Sequence, residues 1–142
     1  MVMIVLASDH AGFWLKEEIK KFFKKENITT IDVGAYNLDS DDDFSDFGKL
    51  ANAKVLEDEN NIGIYLCGSG IGMSIVANRN PKIRGALCNS VKYARLARAH
   101  NNANVLIMGG RFVKKFTAIK IVKEFLTTAF EGGKYARRMK KA

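Results

Sequence analysis

This chain of 142 residues predicts an α/β domain of three layers, helices packed on both faces of a five-stranded parallel sheet. Three observations carry that prediction. Short apolar runs alternate with segments whose apolar residues recur every three or four positions, five times in succession. Each apolar run is closed by glycine or by polar residues. No repeat and no Pro-, Gly- or Ser-rich linker divides the chain, which holds a single proline. Residues 1–142 therefore read as one Rossmann-like domain, long enough to bury a single good core. Parallel strands joined through helices call for right-handed crossovers throughout.

The first strand covers residues 2–7 and runs into Ser8, Asp9 and His10. No basic stretch precedes it, so it reads as a strand and not as a secretion signal. A helix follows, with Leu15, Ile19, Phe22 and Phe23 on one face. Lys16, Lys20, Lys21, Lys24 and Lys25 are assigned to its solvent side. Residues 28–33 form the second strand, ended by Gly34. The acidic run Asp39-Ser40-Asp41-Asp42-Asp43 reads as mostly solvated loop leading to a helix near 47–57. As a calcium loop it fails, lacking glycine at its sixth position and carrying Leu50 where a bidentate glutamate belongs. Residues 62–66 make the third strand, and a helix starts by Met73. Residues 84–88 are a short fourth strand, 91–99 are helical, and 104–108 are the fifth strand. Phe116, Ile119, Val122 and Leu126 line one face of a long helix, and Glu131-Gly132-Gly133 sets off a basic end with Arg137, Arg138, Lys140 and Lys141.

In open α/β sheets ligands gather at the carboxyl ends of the strands. Here those ends carry Ser8-Asp9-His10, Cys67, Asn89-Ser90 and Gly109-Gly110-Arg111. The most telling stretch is Cys67-Gly68-Ser69-Gly70-Ile71-Gly72, a thiol at a strand end beside a helix N-terminus. Glycines let bare N–H groups converge on an anion, and the helix dipole assists them. The same field favours thiolate over thiol. A dinucleotide site does not fit, because the spacing is G-x-G-x-G and no acidic residue ends the next strand. A nucleoside-triphosphate loop is excluded, since no Gly-Lys-Ser/Thr follows. His10 shares the rim with Cys67 and Arg111, while His100 ends a helix just before Asn101-Asn102.

No group of His, Cys, Asp and Glu has metal-ligand spacing, so the chemistry is expected to be metal-free. Cys67 and Cys88 point to a reducing cytoplasm, and the sequence leaves open whether they meet in space. A formal charge of +8 invites a nucleic-acid reading. Against it stand the lack of a recognition-helix motif and of an aromatic stacking platform. No apolar run approaches the roughly 20 residues that cross a bilayer.

Six motifs occur in one order: Ser8-Asp9-His10-Ala11-Gly12, Ile31-Asp32-Val33-Gly34, the Cys67–Gly72 turn, His100-Asn101-Asn102-Ala103-Asn104-Val105, Gly109-Gly110-Arg111 and Glu131-Gly132-Gly133-Lys134. The series resembles the type B ribose-5-phosphate isomerases of the ribose/galactose isomerase family, nearly end to end. The resemblance implies a cytoplasmic homodimer with shared active sites and no cofactor, pairing into tetramers being left open. It also implies interconversion of ribose 5-phosphate and ribulose 5-phosphate through a cis-enediol. Cys67 matches the base that moves the proton between C1 and C2. The amides of Gly68, Ser69, Gly70, Ile71 and Gly72 match the donors to the enediolate oxygen, with the Ser69 hydroxyl also in contact. His100 matches the group that opens the furanose ring. Asp9, Asp43 and Asn101 fall at sugar-contacting positions, and His10, Arg111, Lys134 and Arg138 at phosphate-binding ones.

This chain departs from the family pattern in places. Asp43-Phe44-Ser45-Asp46-Phe47 stands where Asp-Tyr-Pro-x-Tyr is common, so Phe44 lacks a hydroxyl and the loop lacks proline. Ser69 replaces a common threonine, and Lys134 a common arginine. Allose or galactose 6-phosphate remains an alternative substrate. Lys134 and Arg138, four residues apart, would share a helix face, and the segment carrying them is expected to dock on a dimer partner and complete its site.

Overall fold

The three longest apolar runs become the three central strands. In the computed structural model, which describes residues 3–142, β1 (Ile4–Ser8), β3 (Ile62–Cys67) and β5 (Val105–Gly109) are buried on both faces almost throughout. Double burial is why they read as continuous apolar stretches and do not alternate. Three-residue strands β2 (Thr30–Asp32) and β4 (Gly85–Leu87) form the edges. Short edges give another chain little to pair with. The helices are α1 (Phe13–Lys25), α2 (Phe44–Val55), α3 (Ile71–Asn78), α4 (Val91–Asn101), α5 (Lys115–Thr127) and α6 (Lys134–Lys140). All strands are parallel, in the order β2-β1-β3-β5-β4. The start of the first strand at residue 2 falls outside the described residues.

Side chains of successive strand residues enter opposite layers, as a pleat requires. Leu6, Leu66, Leu106 and Met108 meet Ile19, Phe23 and Phe125 on the α1, α4 and α5 side. Val5, Ala7, Tyr65 and Ile107 meet Val55, Met73 and Ala77 on the α2 and α3 side. The second layer is pinned by one polar chain: the Tyr65 hydroxyl donates to Asn52 Oδ1 (2.9 Å), and Asn52 Nδ2 donates to Ala77 O (3.2 Å). Cys67 belongs to this layer and Cys88 to the other, so the thiols sit on opposite faces of the sheet, both free.

Two expectations are corrected. Lys16 is not on the solvent side of α1: it is fully buried, and its ammonium donates to Asp32 Oδ1 (2.7 Å) and to Ala35 O. It follows Phe13 by three residues and precedes Ile19 by three, which puts it on the inward stripe. Asp32 also receives Lys20 (2.8 Å), so one carboxylate on β2 compensates two cations and fastens α1 to the sheet edge. The second correction concerns α2, which starts at Phe44 and not near 47, with extended Asp43 as the residue before its first turn.

Chain order reverses between β1 and β3, since β2 lies on one side of β1 and β3 on the other. Their following segments part there, and a crevice opens above the carboxyl ends.

Candidate active site

Cys67 is the last residue of β3, buried at the crevice floor. Parallel pairing sets it opposite Gly109 of β5, and Gly110 N–H donates to its carbonyl (2.8 Å). The chain then turns through Gly70, whose φ of 83° is left-handed and whose missing Cβ would sit 2.5 Å from Leu87 Cδ1. Only glycine fits both demands. Helix α3 starts at the next residue, so its first N–H groups, lacking intrahelical carbonyls, lie at the turn. Ile71 N–H is bound to Ser69 Oγ at 3.2 Å. The Phe44 ring packs over Gly72, within 2.7 Å of where a Cβ would be. Arg111 N–H donates to Gly68 O (3.1 Å), and its guanidinium lies 3.3 Å from the Cβ position of Gly68.

The loop after β1 completes this rim. Buried Asp9 accepts Ala11 N–H (2.9 Å) and Gly12 N–H (3.0 Å) on Oδ1, which ties the loop to the start of α1. Burial pushes its carboxyl up, against the Gly12 N–H and His10. His10 turns to Asp42, whose Oδ1 lies 2.7 Å from ring Nδ1 and accepts the His10 backbone N–H at 3.0 Å. The Asp42 hydrogen bond raises the imidazole above its ordinary range. Asp9, His10 and Asp42 together bring three ligand-type atoms within 4.8 Å of one another. Each carboxylate already receives protein N–H groups, so a cation there would compete with the protein's own donors. Burial pushes the Cys88 thiol up to about 11.

His100 and Asn101 are elsewhere. Helix α4 begins after β4, with Ser90 Oγ accepting Tyr93 N–H at 3.2 Å, and runs back antiparallel to the strands. Its end is fixed at the amino ends of β4 and β5: Asn104 N–H donates to Arg84 O, and Arg84 Nε donates to Asn102 O (2.6 Å). A strand the length of β3 spans roughly 16 Å, so Cys67 and His100 of one chain occupy opposite rims. Around His100 gathers a second group. Its ring stacks on Tyr135 (centroids 4.0 Å apart, 8° between planes), with Glu131 Oε2 3.8 Å from Nε2. Lys134 Nζ and the Arg138 guanidinium lie 5.3 and 5.7 Å from the Tyr135 ring, and Asn101 Nδ2 faces Met139 Sδ at 3.5 Å.

The residues expected to act together thus fall into two groups. Asp9, His10, Cys67, the 68–72 turn and Arg111 share the carboxyl rim, beside exposed Asp43 at the start of α2. His100, Asn101, Lys134 and Arg138 share the amino rim. No hydrogen bond or ion pair joins the groups among the described residues. Helix α6 packs on α4 of its own chain, and none of its residues is buried. Sequence reasoning missed Asp42, read as solvated, and Tyr135, whose position one residue after Lys134 was the available signal.

Known proteins resemble this chain over nearly its whole length. The model of the Ribose/Galactose Isomerase family matches residues 4–142. Ribose-5-phosphate isomerase B of Mycolicibacterium paratuberculosis is 43% identical over 125 residues, covering 88% of this chain and 79% of the relative. A solved ribose 5-phosphate isomerase from Thermotoga maritima superposes with a TM-score of 0.95 at 46% identity, covering 99% of this chain and 96% of that one. Ribose-5-phosphate isomerase B from Mycoplasma genitalium, solved with bound ribulose-5-phosphate, gives 0.95 at 41% identity and covers 99% and 93%. Motif order, sheet topology and near full-length similarity converge, and the chain belongs to the ribose/galactose isomerase family.

Proposed function

We propose that this chain interconverts ribose 5-phosphate and ribulose 5-phosphate, in sites shared between two copies of itself. The observation that carries the reading is Cys67 at the floor of a glycine turn that opens a helix at the β1/β3 crevice. The Cys67 thiolate removes the C2 proton of the open-chain aldose. The electron pair forms the C1–C2 double bond, and the carbonyl oxygen at C1 becomes an enediolate oxygen facing the turn amides and the Ser69 hydroxyl. Return of the proton from sulfur to C1 then leaves the carbonyl at C2, as the C2 hydroxyl proton passes to O1. One well-aimed oxyanion donor contributes roughly 3–4 kcal/mol, so several dominate the rate. Cations on the phosphate hold C1 and C2 against sulfur using binding energy remote from the reaction.

Ring opening needs a group that takes a proton from the C1 hydroxyl and gives one to the ring oxygen, work suited to imidazole. His100 has that chemistry, but its own Cys67 lies at the opposite rim. In an isologous pair each chain can lend its amino rim to the other's carboxyl rim. Helix α3 supports such pairing: Ile71 (57% exposed) and Ile75 (53% exposed) form an outward apolar stripe, with Leu50 of α2 also exposed. No helix among the described residues is long and apolar enough to cross a membrane.

Steady-state kinetics on ribose 5-phosphate, allose 6-phosphate and galactose 6-phosphate test the reading. The expected outcome is the highest kcat/KM on ribose 5-phosphate. A preference for either hexose would replace the substrate and keep the chemistry; turnover of none would overturn the function.

A further inference from the structure

Asp42 sits in an acidic run that looks solvated, yet its side chain is only 9% exposed. Both of its hydrogen bonds on Oδ1 come from one residue, His10, through the backbone N–H and ring Nδ1. Its second oxygen, Oδ2, is buried with no hydrogen-bond partner. Burying a carboxylate this way is a weak source of stability, because lost hydration offsets most of the attraction. The arrangement does fix something else. A carboxylate oxygen 2.7 Å from Nδ1 requires a proton on that nitrogen, and the partner of one ring nitrogen sets what the other can offer.

We propose that Asp42 is a positioning residue for the substrate phosphate: it locks the His10 ring through Nδ1 and holds it as an imidazolium, so that Nε2–H is presented to the phosphate with Arg111. The assignment rests on the reading of His10 as a phosphate ligand. Three charged groups act on the ring: Asp42 from the loop before α2, Asp9 from its own loop and Arg111 from the loop after β5. The Asp42 hydrogen bond dominates and raises the imidazole; burial opposes it, Asp9 adds, and Arg111 subtracts. Since the folded value lies above the ordinary 6.5, the ion pair contributes fully below that value and fades as pH rises through the higher one. Phosphate held by His10 is thereby kept to a higher pH than an unassisted imidazole would allow.

The test uses the full chain, inorganic phosphate as probe, and Asp42→Asn, which keeps an acceptor oxygen and removes the charge. Histidine-ring NMR should show His10 protonated on both nitrogens near neutral pH, with its titration midpoint lowered in the variant. Phosphate affinity should fall on the order of tenfold near pH 8, the loss of one charge-assisted hydrogen bond, and much less near pH 6. On substrate the loss should fall on KM more than on kcat. Equal phosphate affinity of the two proteins near pH 8 would overturn the proposal, as would kcat and KM suffering alike at every pH. An unprotonated Nδ1 in the wild-type protein overturns it without any variant. Phosphate binding and ring titration need no turnover, so inactivity on ribose 5-phosphate would sink the proposed function and leave this test standing.

Discussion

The two rims of this sheet are built from different materials. The carboxyl rim is backbone: strand ends, a glycine turn and loops stitched by main-chain bonds such as Gly110 N–H to Cys67 O and Arg111 N–H to Gly68 O. The amino rim is side chain: His100 stacked on Tyr135, with Lys134 and Arg138 around the same ring, all on helix ends. The proposed base must reach two adjacent carbons, C1 and C2, and a central strand paired on both sides holds a thiol steadily beside them. Groups that open a ring or clamp a phosphate tolerate a longer lever. Under the proposed function the difference means that one chain carries two half-sites, each of which serves a second copy of the chain.

The sharpest way to break that division is at sulfur. Cys67→Ala should lose isomerisation by about a thousandfold or more, while still folding and binding sugar phosphate. Cys88→Ala should stay within about twofold, because Cys88 lies in the other core layer and its thiol is pushed up to about 11. Side-by-side kcat measurements with a phosphate-binding control decide it. Near-normal turnover by Cys67→Ala would move the base elsewhere on the rim.

Mixing variants tests whether the rims cooperate across chains. Cys67→Ala and His100→Ala homodimers should each be deficient on ribose 5-phosphate, the second mainly at ring opening. Exchanged one to one, half of the dimers become mixed, and each mixed dimer carries one intact site. About a quarter of wild-type sites should then return. If exchange is verified by mass and no activity returns, His100 and Cys67 do not serve one site. His100→Ala slowed equally on ribulose 5-phosphate, which cannot close to a furanose, would remove the ring-opening role.

What the sequence made legible follows the same line between backbone and side chain. Strand runs, the Cys67–Gly72 turn and the order of βα units are contiguous, so periodicity and glycine placement reveal them. Asp42 was hidden because its partner is 32 residues away and its neighbours Asp41 and Asp43 are exposed. Lys16 was hidden because charge outweighs position in a reading of helix faces, although its spacing from Phe13 and Ile19 marked it as inward. The start of α2 at Phe44 was missed because Asp43 makes no side-chain cap bond and the apolar pattern strengthens only at Phe47. That His100 lies far from Cys67 follows from α4 running back beneath the sheet edge. The ring-opening assignment came from resemblance, which carries no geometry.

Helix α6 is where the two rims differ most in stiffness, and there the expected effects fall on KM and not on kcat. Gly132 and Gly133 precede the helix with positive φ, no residue of α6 is buried, and its anchor is the Tyr135 stack on His100. Lys134 and Arg138 leave the helix one turn apart, a spacing that suits two cations on one phosphate. Removing residues 134–142 should raise KM strongly and weaken inhibition by inorganic phosphate; unaltered kinetics would show that the basic end is only solvated charge. The finer probe is Lys134→Arg. An ammonium is a point charge, whereas a guanidinium offers two parallel donors to one phosphate. The substitution should tighten phosphate inhibition a few-fold and lower KM, with kcat little changed, because a cation placed on the phosphate would act in ground and transition states alike. A weaker inhibition constant would mean that Lys134 reaches past the phosphate, for which an arginine fork is the wrong shape.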